Sequence, residues 1–263
     1  MRWYHSIDLG GGIVTPGHHW DHLWGPLKAE MSKIDFRGKR VLDIGSWDGM
    51  WAFEAEKLGA DEVVATDIPS QRSFTDQGPR TFMFARKHLG SLVEYRHASV
   101  YDLDSLFGEE FDIVTFFGVL YHLRYPQLGV AKIRKVLRNG GLLLLETSVI
   151  SGTSDALIQT DHRRFHPEDP STWNSFSVPA LLAMLDESYL RPEYSSILLR
   201  SGHPRRPLHP IRKLAKKALS TLPGHGGFFT YTRGFVVARA FRGEHPHHAF
   251  PDTHLGEYFE PLS

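Results

Sequence analysis

The chain of 263 residues contains no cysteine, which excludes disulfides and thiolate metal sites and does not decide the compartment. No run approaches the roughly 18 consecutive apolar residues that a membrane span needs, and the N-terminus lacks the apolar core of a signal peptide. The charges cancel, with 30 Lys and Arg against 30 Asp and Glu, so no global attraction to nucleic acid is expected. We therefore expect a soluble, cytoplasmic protein.

The composition, with 41% apolar and 23% charged residues, suits one α/β domain. The run VLDIGSWDGMWA at 41–52 passes from a short apolar stretch through a glycine-bearing turn into a helical pattern. A second apolar stretch, VVATD, ends at Asp67. Strand, turn, helix and second strand in this order form half of a Rossmann-like unit.

The glycines of this turn favour S-adenosylmethionine over a dinucleotide. A pyrophosphate site needs the spacing G-x-G-x-x-G, whereas only Gly45 and Gly49 are present here, which argues against an NAD-dependent oxidoreductase. Asp43 would repel a pyrophosphate but suits a cofactor that carries an ammonium and a sulfonium. Asp67 can accept two hydrogen bonds from a ribose diol, each worth about 1.5 to 3 kcal/mol. Alternatively, both acids cap turns and the glycines only turn the chain.

The pattern continues as a doubly wound fold requires. A glycine ends a helix at 79–90, and later apolar runs predict a third, a fourth and a fifth strand with one more helix between the last two. These segments are 92–97, 111–120, 131–141 for the helix ended by glycines, and 142–147. Two further strands, at 193–201 and 228–241, form an antiparallel closing pair. We predict a mostly parallel, seven-stranded Rossmann-like sheet with helices on both faces and an antiparallel last strand.

Several motifs carry a family resemblance. They are VLDIG at 41–45, the acid at 67, GVLYHLRYP at 118–126, GGLLLLET at 140–147 and WNSFSVP at 173–179. On these residues the chain resembles the class I S-adenosylmethionine-dependent methyltransferases. Within that class it is similar to the wobble-uridine tRNA carboxymethyltransferase family and its small-molecule methyltransferase relatives. The GVLYH motif is the most specific, because a generic methyltransferase need not contain it.

The resemblance implies a set of cofactor-binding positions. These are Trp20, Gly45, Asp67, Ile68, Pro69, Val100, Tyr101, Phe117, Tyr121 and Arg233. Around the glycine turn we add Asp43, Ser46, Asp48 and Gly49. Arg233 aligns with a basic residue that holds the extra carboxylate of carboxy-S-adenosylmethionine in the family. No metal site is predicted, because His18 and His19 are adjacent and no further ligand is suitably spaced.

Two departures from the family concern the donor. The carboxymethyl enzymes use two lysines ahead of the glycine loop, and Ser6 and Gly25 occupy those positions here. Lys28 replaces one only if the alignment shifts. Losing two cations forfeits several contacts of about 1.5 to 3 kcal/mol each. We therefore predict that ordinary S-adenosylmethionine is the donor.

The candidates for catalysis lie in two places. Tyr121 and His122 follow the fourth strand, at the edge where a base would face an acceptor. Tyr4 and His5 belong to an N-terminal segment rich in aromatic residues and histidines, which predicts a lid that excludes water. Alternatively, Tyr121 packs on the cofactor, His122 binds a loop carbonyl and the N-terminal segment is only a packing arm.

The predicted division is a lid at 1–38, a methyltransferase domain at 39–242 and a tail at 243–263. Two insertions, 151–179 and 201–227, cover the acceptor side. The first contains the basic run His162, Arg163, Arg164 and His166, and the second a basic amphipathic pattern at 210–221. The basic pattern suits an anionic acceptor, a membrane surface or RNA, or it simply docks on the domain.

The acceptor is predicted from the segment ahead of the glycine loop. The tRNA enzymes of the resembled family have a long N-terminal extension, whereas the loop begins here near residue 45. We therefore expect a small-molecule hydroxyl or amine, such as that of a sugar or a secondary metabolite. A tRNA wobble uridine is the first alternative, and a protein that binds S-adenosylmethionine without catalysis is the second.

Overall fold

The structure is a computed structural model, and it describes residues 1–18, 21–68, 78–160, 171–199 and 230–243. The strands in this part of the chain are β1 (Arg40–Ile44), β2 (Glu62–Asp67), β3 (Glu94–His97), β4 (Phe111–Phe117), β5 (Leu137–Ser151), β6 (Ile158–Gln159), β7 (Ser175–Ser177), β8 (Leu190–Leu199) and β9 (Thr230–Ala240). The helices are α1 (Asp21–Met31), α2 (Met50–Lys57), α3 (Gly78–Leu89), α4 (Leu103–Leu106), α5 (Pro126–Val136) and α6 (Val178–Glu187).

The strands form one sheet whose main body has the order β3-β2-β1-β4-β5-β9-β8. The first five strands are parallel, and β9 is antiparallel to both of its neighbours. This confirms the predicted seven-stranded Rossmann-like fold with an antiparallel last strand.

Two short strands extend this sheet beyond the prediction. β7 pairs in parallel with Val149 and Ile150 of β5, and β6 pairs with β7. At those two residues β9 pairs with the opposite edge of β5. β7 therefore lies on the same edge of β5 as β4, beyond the point where β4 ends at Phe117. β6 and β7, which belong to the predicted insertion at 151–179, therefore lie beyond the carboxyl end of β4.

Alternate residues of each strand feed two apolar layers. Leu42 and Ile44 of β1 pack with residues of α5 and α6, whereas Val41 packs with residues of α1, α2 and α3. Burying such a side chain contributes about 1.5 to 3 kcal/mol. Helices on both faces explain why the central strand β4 is buried along nearly its whole length rather than at alternate residues.

The helix predicted at 131–141 lies earlier, at Pro126–Val136. Pro126 occupies the first turn, where its fixed φ suits a helix and its missing N–H costs nothing. Leu137 is fully buried and pairs with Phe111, so the chain is already extended there. Gly140 has a φ of 82°, but it bends β5 rather than ending a helix.

The strand order places a crevice between β1 and β4. From β1 the chain moves outward to β2 and β3, and it then returns to β4 on the other side of β1. At such a reversal the loops after the two central strands separate, and ligands bind at their carboxyl ends. The glycine turn after β1 and the turn after β4 therefore face one another across the site.

Candidate active site

The turn after β1 depends on left-handed backbone. Gly45, Trp47 and Gly49 have φ of 76°, 51° and 91°. A Cβ on Gly45 would lie 2.3 Å from Val119 Cγ2, so a side chain at this position would collide with the turn after β4. The Gly45 and Ser46 N–H groups both donate to the Thr66 carbonyl, at 2.8 and 3.0 Å. The loop is therefore fixed against both neighbouring strands.

Asp43 lies beneath this loop and is only 1% exposed. Thr115 Oγ1 donates to its Oδ1 at 2.6 Å, while Oδ2 is buried without a hydrogen-bond partner in the structure. Burial raises the pKa of Asp43 to about 7, although the Thr115 hydrogen bond opposes the shift. Since it is shielded from the crevice, Asp43 can act on a ligand through its charge and through the loop.

Asp67 ends β2 beside the same loop. Its Oδ2 accepts the Trp47 N–H and its Oδ1 accepts the Ile68 N–H, both at 2.6 Å. Burial raises the pKa of Asp67, and these two hydrogen bonds oppose the rise. Each carboxylate oxygen can accept more than one hydrogen bond, so capacity for a diol remains. Ile68 is 49% exposed next to it.

Asp48 holds the N-terminal segment, residues 1–18, against the glycine loop. Its Oδ2 accepts the Tyr4 and His5 N–H groups at 2.8 Å each, and its Oδ1 pairs with His5 Nδ1. Asp48 and Ser46 are fully buried, and the buried Ser46 Oγ has no hydrogen-bond partner in the structure. The structure therefore places these two predicted cofactor residues beneath the loop surface, where Asp48 anchors the predicted lid.

Tyr4 lies over the loop, with its ring centroid 5.1 Å from that of Trp47. Burial raises the pKa of Tyr4, and the nearby Tyr121 raises it further. The hydroxyl is thus neutral and suited to donating a hydrogen bond, not to acting as a base. Trp47 was not among the predicted site residues, because nothing in the sequence pattern signals the positive φ that turns it toward Tyr4.

The turn after β4 places Tyr121 beside a buried ion pair. Glu146 accepts hydrogen bonds from Arg233 Nε and Nη2, the latter at 2.7 Å. The guanidinium carbon lies 4.8 Å from the centroid of the Tyr121 ring. Burial alone would lower the pKa of Arg233, but Glu146 and Tyr121 together raise it. A Cβ on Gly118 would lie 3.8 Å from both Arg233 Nη2 and the Tyr121 hydroxyl, so this turn faces the pair.

The WNSFSVP segment covers the chain after β4. The Trp173 and Asn174 N–H groups donate to the Tyr121 carbonyl at 2.7 and 3.1 Å, and Asn174 Nδ2 donates to the Leu123 carbonyl at 2.6 Å. His122 Nδ1 donates to the Ser171 carbonyl at 3.0 Å. The loop-carbonyl alternative for His122 therefore matches the geometry, while Tyr121 stays 8% exposed at the crevice.

The remaining predicted cofactor positions follow β3 and end β4. Val100 and Phe117 are buried, and the Tyr101 hydroxyl accepts the Tyr125 N–H at 3.1 Å. Phe117 packs against Trp51, with ring centroids 5.3 Å apart. Trp20, Pro69, the basic run at 162–166 and the basic pattern at 210–221 lie outside the described residues.

Ser6 and Gly25 occupy the two positions at which the carboxymethyl enzymes have lysines. Gly25 is exposed on α1, and Ser6 Oγ donates to the His18 carbonyl at 3.2 Å. Lys28 Nζ lies 3.5 Å from Glu54 Oε2, which is an ion pair on the helix surface.

The carboxylates of Asp43 and Asp67 fit a cationic, ribose-bearing cofactor. A cation in the crevice would favour the ionised form of Asp43, which would then place negative charge beneath the loop, and Asp67 supplies acceptors at the end of β2. Neither carboxylate would suit a pyrophosphate. Among the described residues, no group of three or more His, Cys, Asp or Glu could hold a metal ion, and no helix is long and apolar enough to cross a membrane.

Comparison with known proteins agrees with this arrangement. A family model described as a methyltransferase domain matches residues 17–192. The tRNA U34 carboxymethyltransferase of Pseudomonas putida strain GB-1 is 31% identical over 180 residues, which are 68% of this chain and 53% of that protein. The ubiquinone biosynthesis O-methyltransferase of Cereibacter sphaeroides is 29% identical over 170 residues, which are 60% of this chain and 64% of that protein. The chain thus spans less than two thirds of the length of either relative.

A solved structure supports the fold. The 1,6-didemethyltoxoflavin-N1-methyltransferase of Burkholderia thailandensis, bound to 1,6-didemethyltoxoflavin and S-adenosylhomocysteine, matches with a TM-score of 0.53 and 18% identity. The match covers 90% of this chain and 94% of that one. Because the family model spans well over half of the sequence and the sheet has the matching fold, the chain belongs to the methyltransferase-domain family, within the class I S-adenosylmethionine-dependent methyltransferases.

Proposed function

We propose that the protein transfers the methyl group of S-adenosylmethionine to a hydroxyl or amine of a small-molecule acceptor, such as a sugar or a secondary metabolite, and releases S-adenosylhomocysteine. The observation that carries the proposal is the glycine loop packed against the turn after β4, with Asp67 at its side. This is the crevice at the strand reversal, furnished with acceptors for a ribose and without a pyrophosphate cradle.

In this proposal the cofactor supplies a methyl group that is already electrophilic. The protein's contribution is alignment, which can supply on the order of 7 to 11 kcal/mol of the barrier. Gly45 and Trp47 form the floor, Asp67 orients the ribose, and Val100, Tyr101 and Phe117 line the side toward β3 and β4. Tyr4 and Tyr121 cover the transferring end, where Tyr4 donates a hydrogen bond. His122 remains the candidate base.

The donor in this proposal is the ordinary cofactor. Ser6 and Gly25 supply no cation where the carboxymethyl enzymes have lysines, and Lys28 pairs with Glu54. The guanidinium of Arg233 already binds the Glu146 carboxylate in a bidentate manner, so a second carboxylate would compete for a neutralised charge. Comparing the Kd of both donors tests the point, and a clear preference for the carboxylated one would contradict it.

A tRNA wobble uridine is the second candidate acceptor. It is favoured by the 31% identity to the tRNA U34 carboxymethyltransferase of Pseudomonas putida. The ubiquinone biosynthesis O-methyltransferase, at 29% identity, supports a small molecule instead. The zero formal net charge of the chain also argues against a large phosphate-bearing partner.

One experiment separates these candidates. The full chain is incubated with methyl-labelled S-adenosylmethionine and a cell extract separated into RNA, protein and small molecules. Label in the small-molecule fraction, with little dependence on salt, is the expected result. Label in RNA with a steep salt dependence would establish the tRNA alternative. Binding of the cofactor without release of S-adenosylhomocysteine in any fraction would indicate a non-catalytic binding protein.

A further inference from the structure

Glu146 stands at the crevice although it was not among the predicted site residues. Its side chain is buried, and the residue, which is 2% exposed, lies within β5 opposite Phe117, the last residue of β4. Its carbonyl accepts the Gly118 N–H at 3.0 Å, and its carboxylate binds Arg233 through Nε and Nη2. Glu146 is therefore bound both to the turn after β4 and to a cation that faces this turn.

The guanidinium of Arg233 lies where a ligand in the crevice would meet it. Gly45 is in contact with Val119, so the floor of the crevice continues from the glycine loop to the turn after β4. At that turn, the position of a Gly118 Cβ is 3.8 Å from Arg233 Nη2. A ligand that extends from Gly45 to Gly118 therefore reaches a guanidinium, which stays protonated in proteins.

This placement creates a problem of charge for a methyl donor. The sulfonium of S-adenosylmethionine carries a permanent positive charge, whereas the thioether of S-adenosylhomocysteine is neutral. A lone guanidinium would repel the first and not the second. At the effective dielectric of a protein site, two unit charges several ångströms apart interact strongly enough to change an affinity by about tenfold or more.

Among the residues that the structure describes, Glu146 is the carboxylate that contacts this cation. The Tyr4 hydroxyl is neutral, because burial raises its pKa. Asp48 is bound to His5 and to the N-terminal backbone, and Asp67 is bound to the loop at the end of β2. Asp43 is paired with Thr115 beneath the glycine loop.

We propose that Glu146 is a positioning residue that cancels the charge of Arg233 and so sets the preference of the crevice for the sulfonium cofactor over its neutral product. The inference rests on the proposed use of S-adenosylmethionine and goes beyond it. Glu146 acts through Arg233, without touching the ligand. With its charge cancelled by Glu146, Arg233 does not repel the sulfonium of S-adenosylmethionine. Arg233 can still orient polar groups of a ligand.

Three variants test this proposal by titration calorimetry with S-adenosylmethionine and with S-adenosylhomocysteine. Glu146→Gln should weaken S-adenosylmethionine about tenfold more than the product, because Arg233 is then uncompensated. Arg233→Gln should shift the ratio of the two Kd values in the opposite direction, since Glu146 is then the unpaired charge. The double variant should return the ratio to about twofold of the wild type or closer.

The matched control is Glu110→Gln, which breaks the pair of Glu110 with Arg40 before β4, at the opposite end of the strand. It should leave the ratio unchanged. Equal weakening of both ligands in Glu146→Gln, or an altered ratio that persists in the double variant, would overturn the inference. If Glu146→Gln does not fold, the other two variants still test the inference. Arg233→Gln must then shift the ratio of the two Kd values in favour of S-adenosylmethionine, and the double variant must restore the ratio of the wild type. A wild type that binds neither ligand would instead refute the proposed function, and the inference with it.

Discussion

The two ends of the crevice are built differently. At the end of β1 and β2, the site residues lie close together in the sequence, from Asp43 to Ile68, and backbone groups hold them. At the end of β4 and β5, the site joins Tyr4, Tyr121 and the pair of Glu146 with Arg233, which are 87 residues apart. Side-chain contacts between residues distant in the sequence bring this second end together.

The difference indicates that the two ends of the crevice have different roles in ligand binding. A local, backbone-held loop offers the same surface whatever surrounds it, which suits a cofactor of constant shape. An end assembled from distant side chains can change one charge or one hydroxyl without altering the loop, which suits the choice of acceptor and donor. In this account, the first end explains the binding of a cofactor and the second end explains the preference among ligands.

We expect the largest effect from a change in the glycine loop, at the first end of the crevice. Gly45→Ala places a Cβ 2.3 Å from Val119 Cγ2 at a φ of 76°. Backbone strain and overpacking each cost on the order of 1 to 3 kcal/mol, so we expect a lower Tm and a loss of cofactor affinity of about 100-fold or more. Calorimetry and thermal unfolding measure the two effects.

Gly90→Ala is the matched control for Gly45→Ala. Gly90 has a φ of 61°, and no atom lies within 4 Å of its Cβ position, so it isolates the strain. It should lower the Tm slightly and leave cofactor affinity unchanged. Adding Val119→Ala to Gly45→Ala should restore part of the lost stability. Wild-type affinity in Gly45→Ala would contradict the role of the loop.

We expect a smaller effect from a change at Asp43, beneath the glycine loop, where the stability of the protein and its affinity for the cofactor should respond in opposite directions. The pKa of Asp43 is raised from 3.8 to about 7 in the folded state, so its stabilising contribution is complete below pH 4 and is lost as the pH rises through 7. Asp43→Asn should therefore be more stable than the wild type above pH 7, by on the order of 3 kcal/mol, and the difference should vanish near pH 4.

Denaturant unfolding between pH 4 and 8, without cofactor, measures this difference for Asp43→Asn. Above pH 7, where Asp43 is ionised, the same variant should also bind S-adenosylmethionine more weakly, because the negative charge beneath the loop is gone. Stability that falls in parallel with binding at every pH would show that Asp43 is merely structural.

Asp67→Asn tests the ribose contact. Replacing the carboxylate removes charge-assisted hydrogen bonds worth about 1.5 to 3 kcal/mol each, so the Kd for S-adenosylmethionine should rise about 10- to 100-fold. S-adenosylhomocysteine contains the same ribose and should weaken equally, in contrast to the unequal effect at Glu146. Asp35→Asn, which alters an exposed pair with Arg37, serves as the control and should leave both Kd values unchanged. A change confined to one ligand would contradict this assignment.

We expect the smallest effect from a change at His5, which pairs with Asp48 and so holds the N-terminal segment, with Tyr4, against the glycine loop. His5→Ala removes the ring that pairs with Asp48 while its backbone N–H can still bind, so the N-terminal segment should loosen without leaving. Hydrogen exchange at residues 4–18 should rise, and turnover should fall more than cofactor affinity, because Tyr4 is then placed less firmly. His88→Ala, on the exposed face of α3, is the control. Unchanged exchange in His5→Ala would contradict the anchoring role.

The sequence predicts the first end better than the second for a physical reason. Alternating strands and helices, the glycine spacing and Asp67 are local signals, and the structure confirms the sheet that they predict. The pairing of Glu146 with Arg233 depends on the register of β5 against β9, and no local pattern encodes this register. The pairing of Asp48 with His5 also joins residues that are distant in the sequence. Trp47 is not predicted, because no sequence pattern signals its positive φ. The helix at 126–136 was misplaced because Leu137 pairs as a strand.

The central claim is that the crevice between β1 and β4 binds S-adenosylmethionine through the glycine loop. Titration calorimetry of the full chain with this cofactor, beside Gly45→Ala and Gly90→Ala, tests it most directly. We expect one site in the wild type and in Gly90→Ala, and an affinity about 100-fold lower or weaker still in Gly45→Ala. Absence of binding in the wild type, or equal binding in a folded Gly45→Ala, would contradict it.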